Sequence, residues 1–373
     1  MNEKASTTAL LDETQSKRTY STKVYSARSA TSKLAPGSIQ RRHPRPQDIQ
    51  IEILYCGVCH SDLHTVRNEW ESVMPTAYPC VPGHEIVGRV VKAGSAVKKF
   101  KEGDLAAVGC LVDSCGVCPS CRAGDEQFCD NMATFTYNSE DKQIGGVTYG
   151  GYSQSIVVTE GFALRVPKQL NLAATAPLLC AGITTYSPLR TWNVGPGSRV
   201  GVIGLGGLGH MAVKLASGLG AHVAVLSRSH DKQADARALG ADELLVSTHK
   251  EAMVKAGSSF DLIVDTVPVR HDLNPYLPLL DVDGTLVIVG QVGPLEEPIT
   301  TPLLLGRRRV AGSPIGGIAE TGEMLDFCGR KNILPECEMI RMDAINEAFE
   351  RMERSDVRYR FVIDMSSLPG RAA

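Results

Sequence analysis

The sequence has no excess charge of one sign and no long hydrophobic run. Lys and Arg total 39 against 41 Asp and Glu, a formal charge of −2, so no basic field exists to draw in nucleic acid. The longest apolar runs, such as Leu286 to Val289 and Val200 to Leu205, fall far short of the ~20 residues a bilayer requires, which excludes helical membrane spans. Met1 to Lys23 is rich in Ser and Thr and lacks an apolar segment, so it does not read as a secretory signal. Residues 1–22 are expected to be a loose arm, because so polar a stretch cannot repay the entropy of ordering. No internal repeat is present, and no low-complexity segment beyond that arm. The eleven cysteines, an odd number without a secretion signal, argue against disulfides and for metal ligation or buried thiols in a cytoplasmic chain.

What is present is an ordinary globular balance. The 373 residues are 43% hydrophobic and 21% charged, with 36 Gly and 20 Pro, enough for two or three domains. From Lys23 to about Ala176 short apolar or alternating runs (Ile49 to Tyr55, Ile86 to Val91, Ser155 to Val158) lie between turn signals, the pattern of an irregular β domain. After Thr175 strands alternate with helices: Arg199 to Ile203, Leu208 to Leu219, His222 to Leu226, Asp231 to Leu239, Asp261 to Asp265 and Gly284 to Val289. That rhythm implies an α/β domain with a parallel sheet. Asp343 to Ser355 reads as a helix, and Val357, Tyr359, Phe361 and Ile363 alternate as a strand with the β character of the first domain. The expected division is 23–176 with 318–373 in one domain and 177–317 in the other.

Cys115, Cys118, Cys121 and Cys129 form C-x2-C-x2-C-x7-C in a polar loop. Four thiolates so spaced can close a tetrahedral zinc site. An iron–sulfur cluster of the bacterial ferredoxin type expects C-x3-C-P at the end, whereas here the last spacing is seven and Asp130 follows. A zinc-ribbon nucleic-acid binder is disfavoured by the charge balance and because the loop carries only Arg122 and Phe128, with no interleaving of basic and aromatic residues.

Gly204, Gly206 and Gly209 give G-x-G-x-x-G directly after the apolar strand Val200 to Ile203 and at the start of a helix. In that context the glycines permit the turn, the approach of a pyrophosphate and close helix-on-strand packing. The loop Gly204, Leu205, Gly206, Gly207, Leu208, Gly209 is thus a dinucleotide site, with helix N–H groups offered to the phosphates. An NAD site would carry an acid at the end of the second strand. This chain has Ser227, Arg228, Ser229 and then Lys232 there, which suits a 2′-phosphate by charge-assisted hydrogen bonds and favours NADP(H). Asp231 lies past the strand end and is expected to cap the next helix.

A second metal constellation is spread along the chain: Cys59 in the run Cys59-His60-Ser61-Asp62-Leu63-His64, then Gly83-His84-Glu85, then Cys180-Ala181-Gly182-Ile183-Thr184. Two sulfurs and an imidazole leave a fourth zinc position open. These motifs, the four-cysteine loop and the glycine loop occur in an order that resembles the zinc-dependent medium-chain alcohol dehydrogenases, over nearly all of Lys23 to Asp364. Asn68-Glu69-Trp70, Tyr149-Gly150-Gly151-Tyr152-Ser153 and Asp356-Val357-Arg358-Tyr359-Arg360-Phe361 are similar to the cinnamyl alcohol dehydrogenase and NADP-dependent aldehyde reductase branch.

The resemblance implies a GroES-like catalytic β domain joined to a Rossmann, doubly wound parallel-sheet cofactor domain, with two zinc ions per subunit. It implies that Cys59, His84 and Cys180 ligate catalytic zinc, with Glu85 an occasional ligand and Asp62 behind an imidazole. Cys115, Cys118, Cys121 and Cys129 hold structural zinc. Ser61 hydrogen-bonds the substrate oxygen and starts a proton relay through the cofactor ribose to His64. His60 approaches the pyrophosphate and Thr184 the nicotinamide. Trp70 lines the substrate pocket with residues around Ser313, Pro314 and Ile315. The expected reaction is hydride transfer between NADP(H) and a primary alcohol or aldehyde, aromatic or medium aliphatic. A polyol or secondary-alcohol dehydrogenase is the alternative, and a non-catalytic zinc-containing binding protein a distant one. The resemblance also implies a homodimer, for which Gly284 to Val289 and Pro298 to Val310 are the candidate surfaces.

Overall fold

The computed structural model describes residues 19–290 and 292–370. Two units emerge. One holds the chain up to Val166 with Glu338–Asp356 and the stretch from Phe361 on; the other holds Pro167–Cys337 with Val357–Arg360. Both boundaries differ from the sequence expectation. The strand Thr19–Ser26 pairs antiparallel with Ala35–Arg42, so Thr19 to Thr22 belong to the sheet rather than to a loose arm; the rest of that arm lies outside the described residues. The helix Ile318–Lys331, expected in the first unit, belongs to the second. Its buried stripe, Thr321, Met324, Leu325, Phe327 and Cys328, packs on the helix Ala181–Thr191, where a Cβ added to Gly182 would lie 3.1 Å from Met324 Sδ.

In the first unit the central strand Asp48–Val58 pairs antiparallel with Ile86–Ala93, and with Ser155–Thr159 and Arg360–Asp364 at its two ends. The late strand therefore returns to the first sheet, as its alternation suggests. Ile49, Ile51, Ile53, Cys56 and Ile86 are fully buried, and this apolar layer fixes the strand that leads straight into Cys59. Arg41, in the wall of a cavity of about 1080 Å3 behind this sheet, is committed to structure. Its guanidinium donates to the carbonyls of Tyr149, Gly150 and Ser155 and to Ser153 Oγ.

The second unit is a six-stranded sheet in the order Glu243–Val246, His222–Ser227, Arg199–Ile203, Phe260–Asp265, Leu280–Ile288, Arg309–Gly312. Every pairing is parallel. This is the doubly wound order whose strand sequence reverses beside the first strand, and ligands bind there at the carboxyl ends. Val200, Val202, Val223, Val225, Ile263 and Val264 are fully buried, as strands covered on both faces must be. Leu280–Ile288 is an interior strand. Gly284 to Val289 consequently offers no free edge for a partner; the terminal strands are Glu243–Val246 and Arg309–Gly312. No single helix among the described residues is long and apolar enough to cross a membrane.

Candidate active site

The four-cysteine loop is built by a one-turn helix, Pro119–Ala123, entered through Cys118 and closed by Gly124 in the left-handed region at φ 86°. One ligand atom from each of Cys115, Cys118, Cys121 and Cys129 lies within 4.8 Å of the others. Cys115 and Cys121 Sγ are 3.8 Å apart, the edge expected of a tetrahedron with Zn–S near ~2.3 Å. Backbone N–H groups point at the sulfurs: Cys118 N to Cys115, Cys121 N to Cys118 and Cys115 N to Cys129. The N–H groups of Val117 and Cys118 lower the Cys115 pKa to about 6, whereas for Cys121 the Ser114 hydroxyl is outweighed by burial and the neighbouring Cys118 and Cys129 sulfurs, which raise its pKa to about 11. The donor set fits zinc.

The second cluster forms where the central strand of the first unit ends. Cys59 caps the helix His60–Val66, and Asp62 in its first turn accepts the Cys59 N–H at 2.9 Å. The same buried carboxylate accepts the Gly83 N–H at 2.9 Å and faces His84 Nδ1 at 3.2 Å. Tyr152 donates its hydroxyl to it at 3.4 Å. One carboxylate thus ties Cys59 and His84 together and leaves His84 Nε2 as the ligand nitrogen. Burial opposes charge on the His84 ring, but Asp62 prevails and holds its pKa well above the usual range. Ligand atoms of Cys59, His84 and Glu85 lie within 4.8 Å of one another, all buried. Glu85 stands against Gly57, where an added Cβ would be 1.8 Å from Oε2. Asp62 behind the imidazole, expected from resemblance, therefore has its geometry here, and the donor set suits zinc.

Cys180 is buried at the head of the helix Ala181–Thr191 in the second unit, with Thr184 buried one turn on. Ser61, in the first turn of His60–Val66, has its hydroxyl 3.6 Å from Cys59 Sγ. His60 opens that helix and its ring lies 6.1 Å from His64. His64 Nδ1 is 2.5 Å from Glu69 Oε2, a partner the sequence reading missed. The only hint was Asn68, a residue tolerant of the left-handed turn (φ 56°) that brings Glu69 back to the helix end. Trp70 packs its ring 5.1 Å from the same imidazole. In the second unit Ile315 has φ 29°, a region β-branched residues rarely enter.

The glycine loop meets each demand of a pyrophosphate cradle. Gly204 turns at φ 87°; a Cβ on Gly206 would meet nothing within 4 Å; a Cβ on Gly209 would lie 2.2 Å from Gly204 O. The first makes the turn, the second leaves an open face and the third allows helix on strand, with Leu205, Gly207 and Leu208 between them. Ser227 ends the second strand, followed by exposed Arg228 and Ser229. Lys232 donates to the Leu205 carbonyl at 3.1 Å, which couples the two loops. Asp231 accepts from Ser229 Oγ at 2.9 Å instead of capping a helix.

Comparison with known proteins agrees with this geometry. The alcohol dehydrogenase GroES-like domain family matches residues 45–168, and the zinc-binding dehydrogenase family matches residues 207–330. Aldehyde reductase YahK of Escherichia coli (strain K12) is 55% identical over 348 residues, 93% of this chain and 99% of the relative. NADP-dependent alcohol dehydrogenase C of Mycobacterium bovis is 53% identical over 347 residues, 92% of this chain and 98% of the relative. The solved structure of the cinnamyl alcohol dehydrogenase SbCAD4 from Sorghum bicolor is similar with a TM-score of 0.90 and 43% identity, over 95% of this chain and all 100% of that one. The chain belongs to the zinc-dependent medium-chain alcohol dehydrogenases, in the branch of the cinnamyl alcohol dehydrogenases and aldehyde reductases, and is an oxidoreductase acting on alcohols and aldehydes.

Proposed function

We propose that the chain uses NADPH to reduce aromatic or medium aliphatic aldehydes to primary alcohols, with one catalytic and one structural zinc per subunit. The observation that carries this reading is the Asp62 carboxylate, which fixes Cys59 and His84 at one point. Cys180 completes that ligand set, and Glu85 serves as an alternate ligand. Cys115, Cys118, Cys121 and Cys129 hold the second ion. When bound, the catalytic zinc supplies a Lewis acid and NADPH the hydride. Ser61 orients the substrate oxygen and gives it a proton. His64 replenishes that proton from the solvent side through Glu69, whose side chain is 42% exposed. His60, Thr184 and the loop Gly204 to Gly209 hold the dinucleotide, while Ser227, Arg228, Ser229 and Lys232 favour the 2′-phosphate. Trp70 and Ile315 border the substrate.

The chain is proposed to work as a homodimer. The edge strand Arg309–Gly312 and the exposed Leu304 and Leu305, at 77% and 83%, offer the surface. None of the eleven cysteines is joined in a disulfide, which suits a reducing cytoplasm. The test is the initial rate of NADPH and NADH oxidation with cinnamaldehyde, before and after chelation of zinc. Chelator-sensitive consumption of NADPH over NADH is expected. No consumption of either by zinc-loaded protein would end the aldehyde reading, and faster oxidation of xylitol or isopropanol than of cinnamyl alcohol would move the substrate class.

A further inference from the structure

Val357–Arg360 is grouped with the second unit although the chain on both sides of it is grouped with the first. Each of its last three side chains reaches a part of the cofactor domain. Arg358 stands 2.9 Å from Asp235 in the helix Gln233–Ala238. The Tyr359 ring lies flat on His210, centroids 4.8 Å apart and planes 13° from parallel, and its hydroxyl interacts with Asp235. Arg360 fills the space beside Gly207, where a Cβ would be 3.0 Å from Nη1. The strap is anchored by Tyr359 N–H on the Glu336 carbonyl at 3.0 Å, and the Glu336 carboxylate pairs with Lys214 at 2.7 Å.

His210 is what the strap holds. It is fully buried and its Nδ1 lies 3.1 Å from Gly206 O. A carbonyl only accepts, so Nδ1 carries the hydrogen. Burial lowers the ring's pKa to about 3, so the neutral imidazole keeps this tautomer through the physiological range. The Gly206 carbonyl thus receives two hydrogens from one residue, the other being the His210 backbone N–H at 3.0 Å. In a planar trans peptide the carbonyl and the following N–H point in opposite directions. Drawing Gly206 O inward therefore aims the Gly207 N–H outward, on the side of the loop left open at Gly206.

We propose that Tyr359 is a positioning residue for the dinucleotide: by stacking on His210 it fixes the Gly206–Gly207 peptide so that its N–H faces the pyrophosphate. This rests on the reading of the glycine loop as the NADP(H) site. Because the pyrophosphate is common to both nicotinamides, the Tyr359–His210 stack governs affinity and not the choice between them.

The test is Kd for NADPH and NADH, read from cofactor fluorescence without substrate, for zinc-loaded wild type, Tyr359→Leu, Tyr359→Phe and His210→Gln. Tyr359→Leu is expected to weaken both dinucleotides by about three- to tenfold, the range an aromatic contact supports, with their ratio and the zinc content unchanged. Tyr359→Phe keeps the ring and is expected to bind like wild type. His210→Gln, which loses the ring, should repeat the effect and serves if Tyr359→Leu does not fold. Unchanged Kd values in folded Tyr359→Leu or His210→Gln overturn the proposal, as does an equal loss in Tyr359→Phe, which would assign the effect to the hydroxyl on Asp235. Failure of wild type to bind either dinucleotide would instead refute the cofactor reading, and the proposal with it.

Discussion

Replacing Asp62 by Asn probes the join between fold and metal centre. The carboxylate is wholly buried and receives the Cys59 and Gly83 N–H groups at 2.9 Å each, while facing His84 Nδ1 at 3.2 Å. An amide of the same shape keeps one oxygen. Whichever way it turns, its NH2 group meets a donor, and one buried backbone N–H is left without an acceptor at a cost of about 1–3 kcal/mol. His84 also loses the charge that orients its ring. Loss of such an outer partner typically weakens a metal site about 10- to 100-fold, or about 1.4–2.7 kcal/mol. The assay is competition with a chromophoric zinc chelator, together with a thermal melt. The four-cysteine loop is an internal control, since its sulfurs share no hydrogen bond with Asp62. One zinc should leave the variant at lower chelator while the other stays. Zinc affinities within twofold of wild type for both sites would falsify the claim that Asp62 holds the ligand pair.

Four further outcomes are expected. Cys118→Ser should cost one zinc per chain and lower the melting temperature, read by metal analysis and calorimetry; unchanged stoichiometry would remove the loop from the metal sites. Ser227→Asp places a carboxylate at the end of the second strand and should shift the NADPH/NADH preference by about tenfold or more, measured as a ratio of kcat/KM. An unmoved ratio would show that another segment reads the 2′-phosphate. His210 is neutral in the folded state to a pKa of about 3, whereas an unfolded histidine takes up a proton near ~6.5. Its contribution to stability is therefore present above pH ~6.5 and falls as the solution is acidified toward 3. Wild type should lose more melting temperature than His210→Gln between pH 7.5 and pH 5, and parallel losses would contradict the buried neutral ring. Finally, Leu304→Lys with Leu305→Lys should yield monomers by light scattering, and an intact dimer would move the interface elsewhere.

Much of the site is legible in the chain because its chemistry is local. The four-cysteine loop and the glycine loop each lie within fifteen residues or fewer, and spacing alone states what they can hold. What escaped depends on distant packing. A helix such as Ile318–Lys331 shows its apolar stripe in sequence but not which unit the stripe faces. Val357 to Ile363 alternates as a strand, yet the strand begins at Arg360, because Tyr359 is diverted onto His210. An apolar run such as Leu286 to Val289 reads alike for an edge or an interior strand, so of the two expected surfaces Gly284 to Val289 proved to lie inside the sheet. Glu69 was invisible as a partner of His64 because a single left-handed residue, Asn68, sets that contact.

The return of the strand Arg360–Asp364 to the first sheet bears on biosynthesis. Tyr55 to Val58 pair with Phe361 to Asp364, about 300 residues later in the chain. At ~5–20 residues per second, a ribosome takes about 15–60 s to deliver that partner after Val58 emerges. Throughout that interval the segment just ahead of Cys59 has an open flank, and a foreign strand could take the place before the native one arrives. The ligand-bearing turn acquires this neighbour only about 300 residues after its own synthesis, so the nascent chain is open to mispairing where the finished enzyme is most exacting.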